Sequence, residues 1–251
     1  MKFLFVVGVE GSGHFMLRAL MQHVISQSYF LNEGEWREIM SRYWDPYYRH
    51  KSEFSLLGRM NRNKIKRRWQ KIIRQYEKDG ISYLMEDMSF PYNHPRNAIR
   101  RPDIVDFVDL LEEEVDIKFL ALYRNPVSAT YSGLRRGFTG NVYEQARIVE
   151  DNLIYIDRNL SALGPSWFRV LPFEKFLATP SHYIQGLANW IEVDIELLQK
   201  GIANLRSPYP LEDIPGKTQR TLTNFFAPTK TKLWDTLSSN RHTIINDKER
   251  S

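Results

Sequence analysis

The chain has 251 residues, no cysteine, 42% hydrophobic residues and a formal net charge of +5. That length can bury a full core in one domain, and the missing cysteine excludes disulfides and thiolate metal sites. No apolar run is long enough to span a bilayer, and the modest basic excess suits an anionic ligand without by itself implying nucleic acid.

In chain order, Lys2–Val9 predicts a buried strand rather than a signal peptide, because the apolar run is short and Glu10-Gly11 follow it. With the absence of cysteine, this sets a cytoplasmic location as the expectation. Ser12–Ser28 predicts a helix, with apolar residues at Phe15, Leu17, Leu20, Met21, Val24 and Ile25. Ile81–Glu86 predicts a second strand after Asp79-Gly80, and Ile117–Tyr123 a third, apolar enough to be buried on both faces. Phe168–Pro172 predicts a fourth. Helices are expected over Pro126–Arg136, Val142–Leu163, Pro180–Ile191 and Ile195–Asn204. Short strands joined by helical crossovers imply an α/β fold, a three-layer sandwich around a central parallel sheet. One domain over 1–251 is expected, with a helical insertion at about 32–78 after the first helix. A C-terminal region covers about 205–251. Within it Pro208, Pro210, Pro215, Gly216 and Pro228 predict a long ordered loop over 205–231.

Two segments carry chemistry. In Phe3-Leu-Phe-Val-Val-Gly-Val-Glu-Gly-Ser-Gly-His-Phe-Met-Leu-Arg18 a strand enters a glycine-rich turn that opens a helix. Such a turn aims backbone N–H groups and a helix N-terminus at one point, which suits a phosphate. Gly8, Gly11 and Gly13 are present. His14-Phe15 stand where a nucleotide-hydrolysing loop carries Lys followed by Ser or Thr. In Leu122-Tyr-Arg-Asn-Pro-Val-Ser-Ala-Thr-Tyr-Ser132, Arg124 ends a strand, Asn125 suits a helix cap and Pro126 its first turn. A guanidinium at the strand end and the Ser132 hydroxyl on the adjoining helix can grip one phosphate group.

These segments together resemble the sulfotransferase family, whose fold is P-loop nucleotide-hydrolase-like. A third segment adds to the likeness: Val170-Leu-Pro-Phe-Glu-Lys-Phe-Leu-Ala-Thr-Pro-Ser181, then Leu187-Ala-Asn-Trp-Ile-Glu-Val193. It is similar to that family's strand ending in Tyr-Glu-Asp-Leu with a Pro-started helix after it. The resemblance covers residues 1–28, 81–91 and 117–195. It implies an enzyme that moves the sulfuryl group of PAPS (3′-phosphoadenosine 5′-phosphosulfate) to a hydroxyl or, less readily, an amine, releasing PAP (adenosine 3′,5′-bisphosphate), with no metal. It implies that Gly11, Ser12, Gly13, His14 and Phe15 hold the 5′-phosphosulfate and that Arg124 and Ser132 hold the 3′-phosphate. Lys217 and Arg220, in Pro215-Gly-Lys-Thr-Gln-Arg220, lie where the family closes a basic loop over the nucleotide.

The departures are as informative. The family loop reads Lys/Arg-Ser-Gly-Thr-Thr, so Gly11 stands in place of the cation, and His14 and Phe15 in place of the threonines. Three explanations are open: His14 donates a hydrogen bond instead, Arg18 reaches back from the helix, or the protein binds nucleotide and catalyses poorly. A helix N-terminus disfavours a protonated imidazole, so His14 is read as a neutral donor. Glu10 is repulsive beside a phosphosulfate and is expected to turn outward, bond the loop backbone or face the acceptor. For the base that an acceptor hydroxyl needs, Glu86 at the expected end of the second strand is preferred, with Asp87 and His94 as alternatives. The rival readings are a nucleotide kinase or other phosphotransferase, which the missing loop Lys and Ser/Thr oppose, and a catalytically weak PAP- or PAPS-binding protein.

The stretch Arg59–Tyr76 is amphipathic and basic, with Ile65, Trp69, Ile72, Ile73 and Tyr76 at helical spacing. It reads first as a surface helix packed through Trp69 and the isoleucines. The sharper reading is a face for an acidic acceptor, such as an anionic glycan, or for a membrane surface. The acceptor class expected is a small molecule or glycan, with no nucleic acid.

Overall fold

A computed structural model describes residues 1–25, 29–30, 56–90, 104–164, 166–205 and 213–237. Five strands form one parallel sheet: β1 (Lys2–Val9), β2 (Tyr29–Phe30), β3 (Tyr83–Phe90), β4 (Asp116–Tyr123) and β5 (Phe168–Pro172). Their order is β2-β3-β1-β4-β5, so β1 lies at the centre. Nine helices occur among the described residues: α1 (His14–Ile25), α2 (Leu56–Lys78), α3 (Ile104–Leu111), α4 (Pro126–Arg135), α5 (Val142–Leu163), α6 (Phe173–Ala178), α7 (Pro180–Ile191), α8 (Ile195–Ile202) and α9 (Gly216–Leu237).

Alternation along the strands sorts their side chains into two layers. Phe3, Phe5, Val7 and Val9 face one core together with Trp69 of α2, Phe107 of α3, Leu153 of α5 and Phe226 of α9. Leu4 and Val6 face the other, with Leu17 and Leu20 of α1, Phe176 of α6 and Leu187 of α7. This is the three-layer α/β architecture expected from the alternating pattern. No helix among the described residues is long and apolar enough to cross a membrane.

Local chemistry explains the element ends. The Asn125 side chain accepts from the Val127 amide and Pro126 takes the first turn of α4; Asn141 accepts from the amides of Tyr143 and Glu144 to start α5. Helix α8 packs so tightly on α1 that a Cβ at Gly201 would overlap the Leu20 carbonyl oxygen. Gly201→Ala is therefore expected to destabilise by about 2 kcal/mol through overpacking against backbone. A thermal melt checks this, with a drop of about 4–8 °C expected.

The structure corrects several expectations. Strand β3 begins and ends later than Ile81–Glu86, running to Phe90 because it pairs with β1 over that strand's whole length. The predicted loop over 205–231 is helical from Gly216 onward. Ile214, Leu222 and Phe226 are buried in the core, and that spacing anchors α9 although Pro228 lies inside it. The apolar stripe of α3 spans only eight residues and α6 only six, too short to read from periodicity. The end of the first predicted helix, at 26–28, lies outside the described residues, as do His94 and most of the 32–78 insertion.

The basic helix is built as the first reading expects. Ile65, Trp69, Ile73 and Tyr76 are buried. On its flank Arg62 pairs with Asp106 and Asp109, Lys66 with Glu113 at 2.7 Å, and Gln70 donates to Glu114 at 2.6 Å. Part of the positive charge thus docks α2 onto α3 and the turn after it. Lys64, Arg67, Lys71 and Arg74 remain exposed on the outer face.

Candidate active site

The site starts where β1 runs out. After Val9 the chain turns through Glu10–Gly13, with the Ser12 amide donating to the Val9 carbonyl at 3.0 Å and the Leu17 amide to the Gly13 carbonyl at 3.0 Å. Gly11 and Gly13 have φ of +89° and +100°, the region that favours glycine. Each is also crowded. A Cβ on Gly11 would lie 3.0 Å from the Ala129 carbonyl oxygen and 3.1 Å from the Ser132 Cβ, and one on Gly13 would fall into the Phe173 ring. Ser12 between them is wholly buried, and its Oγ has no hydrogen-bond partner among the described residues. A buried hydroxyl without a partner is costly and marks a place where a ligand oxygen fits.

Arg124 emerges from the end of β4 and is 6% exposed. Its Nη1 donates to the Gly11 carbonyl at 2.7 Å, and its guanidinium lies 4.8 Å from the Phe173 ring centroid. Its Nε is 3.9 Å from Glu174 Oε1, beyond hydrogen-bond range. That carboxylate oxygen instead accepts the Asn125 amide at 3.0 Å. Burial lowers the Arg124 pKa from its ordinary value, yet a guanidinium stays charged at neutral pH. Burial pushes the Glu174 carboxyl up, while the Asn125 amide and Arg124 pull it down. The structure thus brings Arg124 and Ser132, predicted eight positions apart, together at Gly11.

The remaining predicted residues fall in three places. The His14 imidazole folds back over the end of β1, its Nε2 3.0 Å from where a Gly8 Cβ would sit. Phe15 points outward and is 70% exposed, with the guanidinium carbons of Arg18 and Arg136 at 5.7 and 5.9 Å from its ring centroid. Glu10 turns outward and pairs with Arg136 at 2.5 Å, the first of the placements open to it. Lys217 and Arg220 stand in the first turns of α9, not on a loop. With Tyr143, Thr221, Asn224 and Phe225 they line a pocket of about 480 Å³, and among the described residues none of the Glu10–Gly13 turn lines it. Glu86 and Asp87 sit inside β3 rather than at its carboxyl end: Glu86 is level with Phe5 and Asp87 with Val6, whereas Ser89 is level with Gly8.

Phe173 and Glu174 were missed as individual residues. Their segment, Phe173-Glu-Lys-Phe, was singled out for its pattern, but only the close approach of α6 to the loop reveals that Phe173 backs both Gly13 and Arg124.

No protein-family model and no curated protein sequence matches the chain. Several solved structures do, among them two sulfotransferases. One is a sulfotransferase from Alicyclobacillus acidocaldarius, at 17% identity over 100% of this chain and 99% of that one, with a TM-score of 0.56. The other is the sulfotransferase domain of the Synechococcus PCC 7002 olefin synthase, at 14% identity over 90% of this chain and 94% of that one, with a TM-score of 0.54. The chain therefore shares the P-loop-like α/β fold of these two sulfotransferases over nearly its full length.

Proposed function

We propose that the chain is a PAPS-dependent sulfotransferase, transferring a sulfuryl group to a hydroxyl-bearing small molecule or glycan. One observation carries the reading: the Ser12 Oγ, without a hydrogen-bond partner among the described residues, lies in a glycine cradle closed by Arg124 and Ser132, at the N-terminus of α1. Those groups fit a phosphate ester, since amides at a helix start, a hydroxyl and a guanidinium all favour negative charge.

The donor, when bound, supplies an activated sulfuryl group carried on a phosphate leaving group. The chain's own residues bind and orient it. The loop amides and Ser12 hold its phosphosulfate, with His14 at the start of α1 as a further donor. By the family pattern Arg124 and Ser132 meet the 3′-phosphate, and Lys217 and Arg220 are further candidates on α9. Preorganised donors around a leaving phosphate are the main source of rate in such transfers. The proton of the acceptor hydroxyl passes to a base among Glu86, Asp87 and His94. Glu86 lies three residues short of the level of Gly8 along β3, about 10 Å at the usual rise. That register favours His94, which follows the end of β3 in the sequence. The exposed cations of α2 suit an anionic acceptor or a peripheral membrane contact. A cytoplasmic location fits the same reading.

Calorimetry with PAP, ADP and GDP tests the assignment. PAP is expected to bind tightest, and Ser12→Ala to weaken it roughly tenfold or more, as for a lost hydrogen bond to a charged group at about 1.5–3 kcal/mol. Preference for ADP or GDP would return the chain to the kinase reading. PAP binding without any sulfated product, across a broad acceptor panel read by mass spectrometry, would leave a binding protein.

A further inference from the structure

We propose that the outer face of α2 is a binding track for a linear acidic polysaccharide, a sugar chain with carboxylate or sulfate groups along its length. The role of that chain as sulfuryl acceptor rests on the functional reading above; the binding itself does not.

Helical spacing builds the track. Lys64, Arg67, Lys71, Arg74 and Lys78 follow one another at intervals of three and four residues. At about 100° per residue they fall within roughly a quarter-turn of one another. All five are exposed, on the side opposite the buried Ile65, Trp69, Ile73 and Tyr76. At the rise of an α-helix the stripe is about 21 Å long, with a cation about every 5 Å. That step is close to the length of one sugar unit in an extended chain.

The charge of the stripe is unmatched. None of the five pairs with an acid among the described residues, whereas Arg62 and Lys66, on the flank, pair with Asp106, Asp109 and Glu113. The one acid within α2, Glu77, lies 3.7 Å from the Met1 amino group. Like charges three or four positions apart repel, so the stripe by itself weakens α2, and anions laid along it relieve that cost. A face that serves solubility alone carries both signs interspersed.

The stripe also leads towards the site. Glu77 sits beside Met1, just before β1, and Trp69 packs against Phe3. Going back from Lys78 to Lys64, the stripe therefore climbs from the amino edge of the sheet towards its carboxyl edge, where β1 opens into the Glu10–Gly13 turn.

Only a narrow ligand meets these cations alone. Asp109 on α3, with Glu112 and Glu113 in the turn after it, stands exposed beside α2. A flat anionic bilayer covering α2 would press on those acids too, and the apolar side of α2 is buried in the core instead of free to insert. Single-stranded nucleic acid stacks on aromatic platforms, yet Trp69 and Tyr76 are buried. A sugar chain brings a hydroxyl on every unit, which sulfuryl transfer needs; a run of acidic residues does not.

The test measures binding of polygalacturonate and dextran sulfate, with neutral dextran as the uncharged control. The parent chain is compared with two variants of equal charge loss. One replaces Lys64, Arg67, Lys71 and Arg74 by Gln; the other replaces Arg147, Arg158, Lys175 and Lys200, exposed on other helices, by Gln. Thermal melts verify each fold, and if the first variant does not fold, Arg67→Gln with Lys71→Gln carries the comparison. The parent is expected to bind both acidic chains and not dextran, with affinity falling as salt is added. The stripe variant is expected to lose about tenfold or more and to show a flatter salt dependence, and the second variant to stay within about twofold of the parent.

Equal losses in the two variants overturn the proposal, because net charge alone would then explain binding. Tighter binding of phosphatidylserine vesicles, oligo-dT or polyglutamate, compared at equal anionic charge, also overturns it. Calorimetry with PAP on the same samples keeps the two readings apart. A parent that binds PAP but neither acidic chain overturns the track and leaves the sulfotransferase reading intact. A parent that binds the chains through the stripe but not PAP supports the track and overturns the transferase reading, and the acceptor role with it.

Discussion

Gly13→Ala is expected to abolish measurable nucleotide binding while the chain still folds. At φ +100° an alanine is strained by about 1–3 kcal/mol. Its Cβ would also enter the Phe173 ring, adding an overpacking cost of about 1–3 kcal/mol. Relief requires either the loop or Phe173 to move. If the loop moves, the Ser12 hydroxyl and the amides before α1 leave their common focus. If Phe173 moves, Arg124 loses its stacking surface. PAP calorimetry and a melt on the same sample check this. Adding Phe173→Ala removes the clash but truncates a buried Phe, at about 3–5 kcal/mol, so it is expected to lower the melting temperature further and not to restore affinity, because the positive φ remains. Unchanged binding in Gly13→Ala would mean that the loop is not the anion cradle.

Trp69→Ala should give the largest loss of stability, about 3–5 kcal/mol for a buried Trp truncated to Ala. Trp69 is 1% exposed and packs against Phe3 and edge-on to Phe107, with ring centroids 6.1 and 5.8 Å away. Removing it opens a cavity between α2, α3 and the sheet. Chemical denaturation, or a melt with an expected drop of about 10 °C or more, reads the effect. Replacing the exposed Lys64, Arg67, Lys71 and Arg74 together by Gln should move the melt far less, because none of them packs in the core. The contrast separates what α2 does for the fold from what its outer face offers an acceptor or surface. A melt as sensitive to the four cations as to Trp69 would contradict that division.

The elements that read correctly from sequence are those whose signals are local. β1 and β5 are bounded by turn residues, and α5 and α7 by an Asn cap or a Pro start and an end signal. The apolar stripes of α5 and α7 run for three turns or more. For these, the spacing of apolar residues and the cap chemistry coincide. The misread elements lack that coincidence. The later end of β3 is decided by its ladder with β1, a partner distant in sequence. α9 forms despite five Pro and Gly signals in or before it, because Ile214, Leu222 and Phe226 gain burial against the core. Tertiary burial outweighs the cost of one proline in an exposed helical position.

The site divides in the same way. Gly11, Ser12, Gly13, Arg124 and Ser132 were legible because a strand-to-helix turn and a strand-end arginine leave short-range patterns. Their mutual placement was not. By itself the sequence determined the three-layer α/β class, the glycine-rich strand-to-helix turn after β1, and the absence of a cation at position 11. Only the tertiary structure decided that Arg124 reaches Gly11, that Phe173 backs both, that Glu10 turns away to Arg136, and that Glu86 and Asp87 lie within β3. The physical reason is that dihedral preference, periodicity and capping act over a few residues. A buried charge finds its partners only when β1, β4, α4 and α6, far apart in the chain, meet at one edge of the sheet.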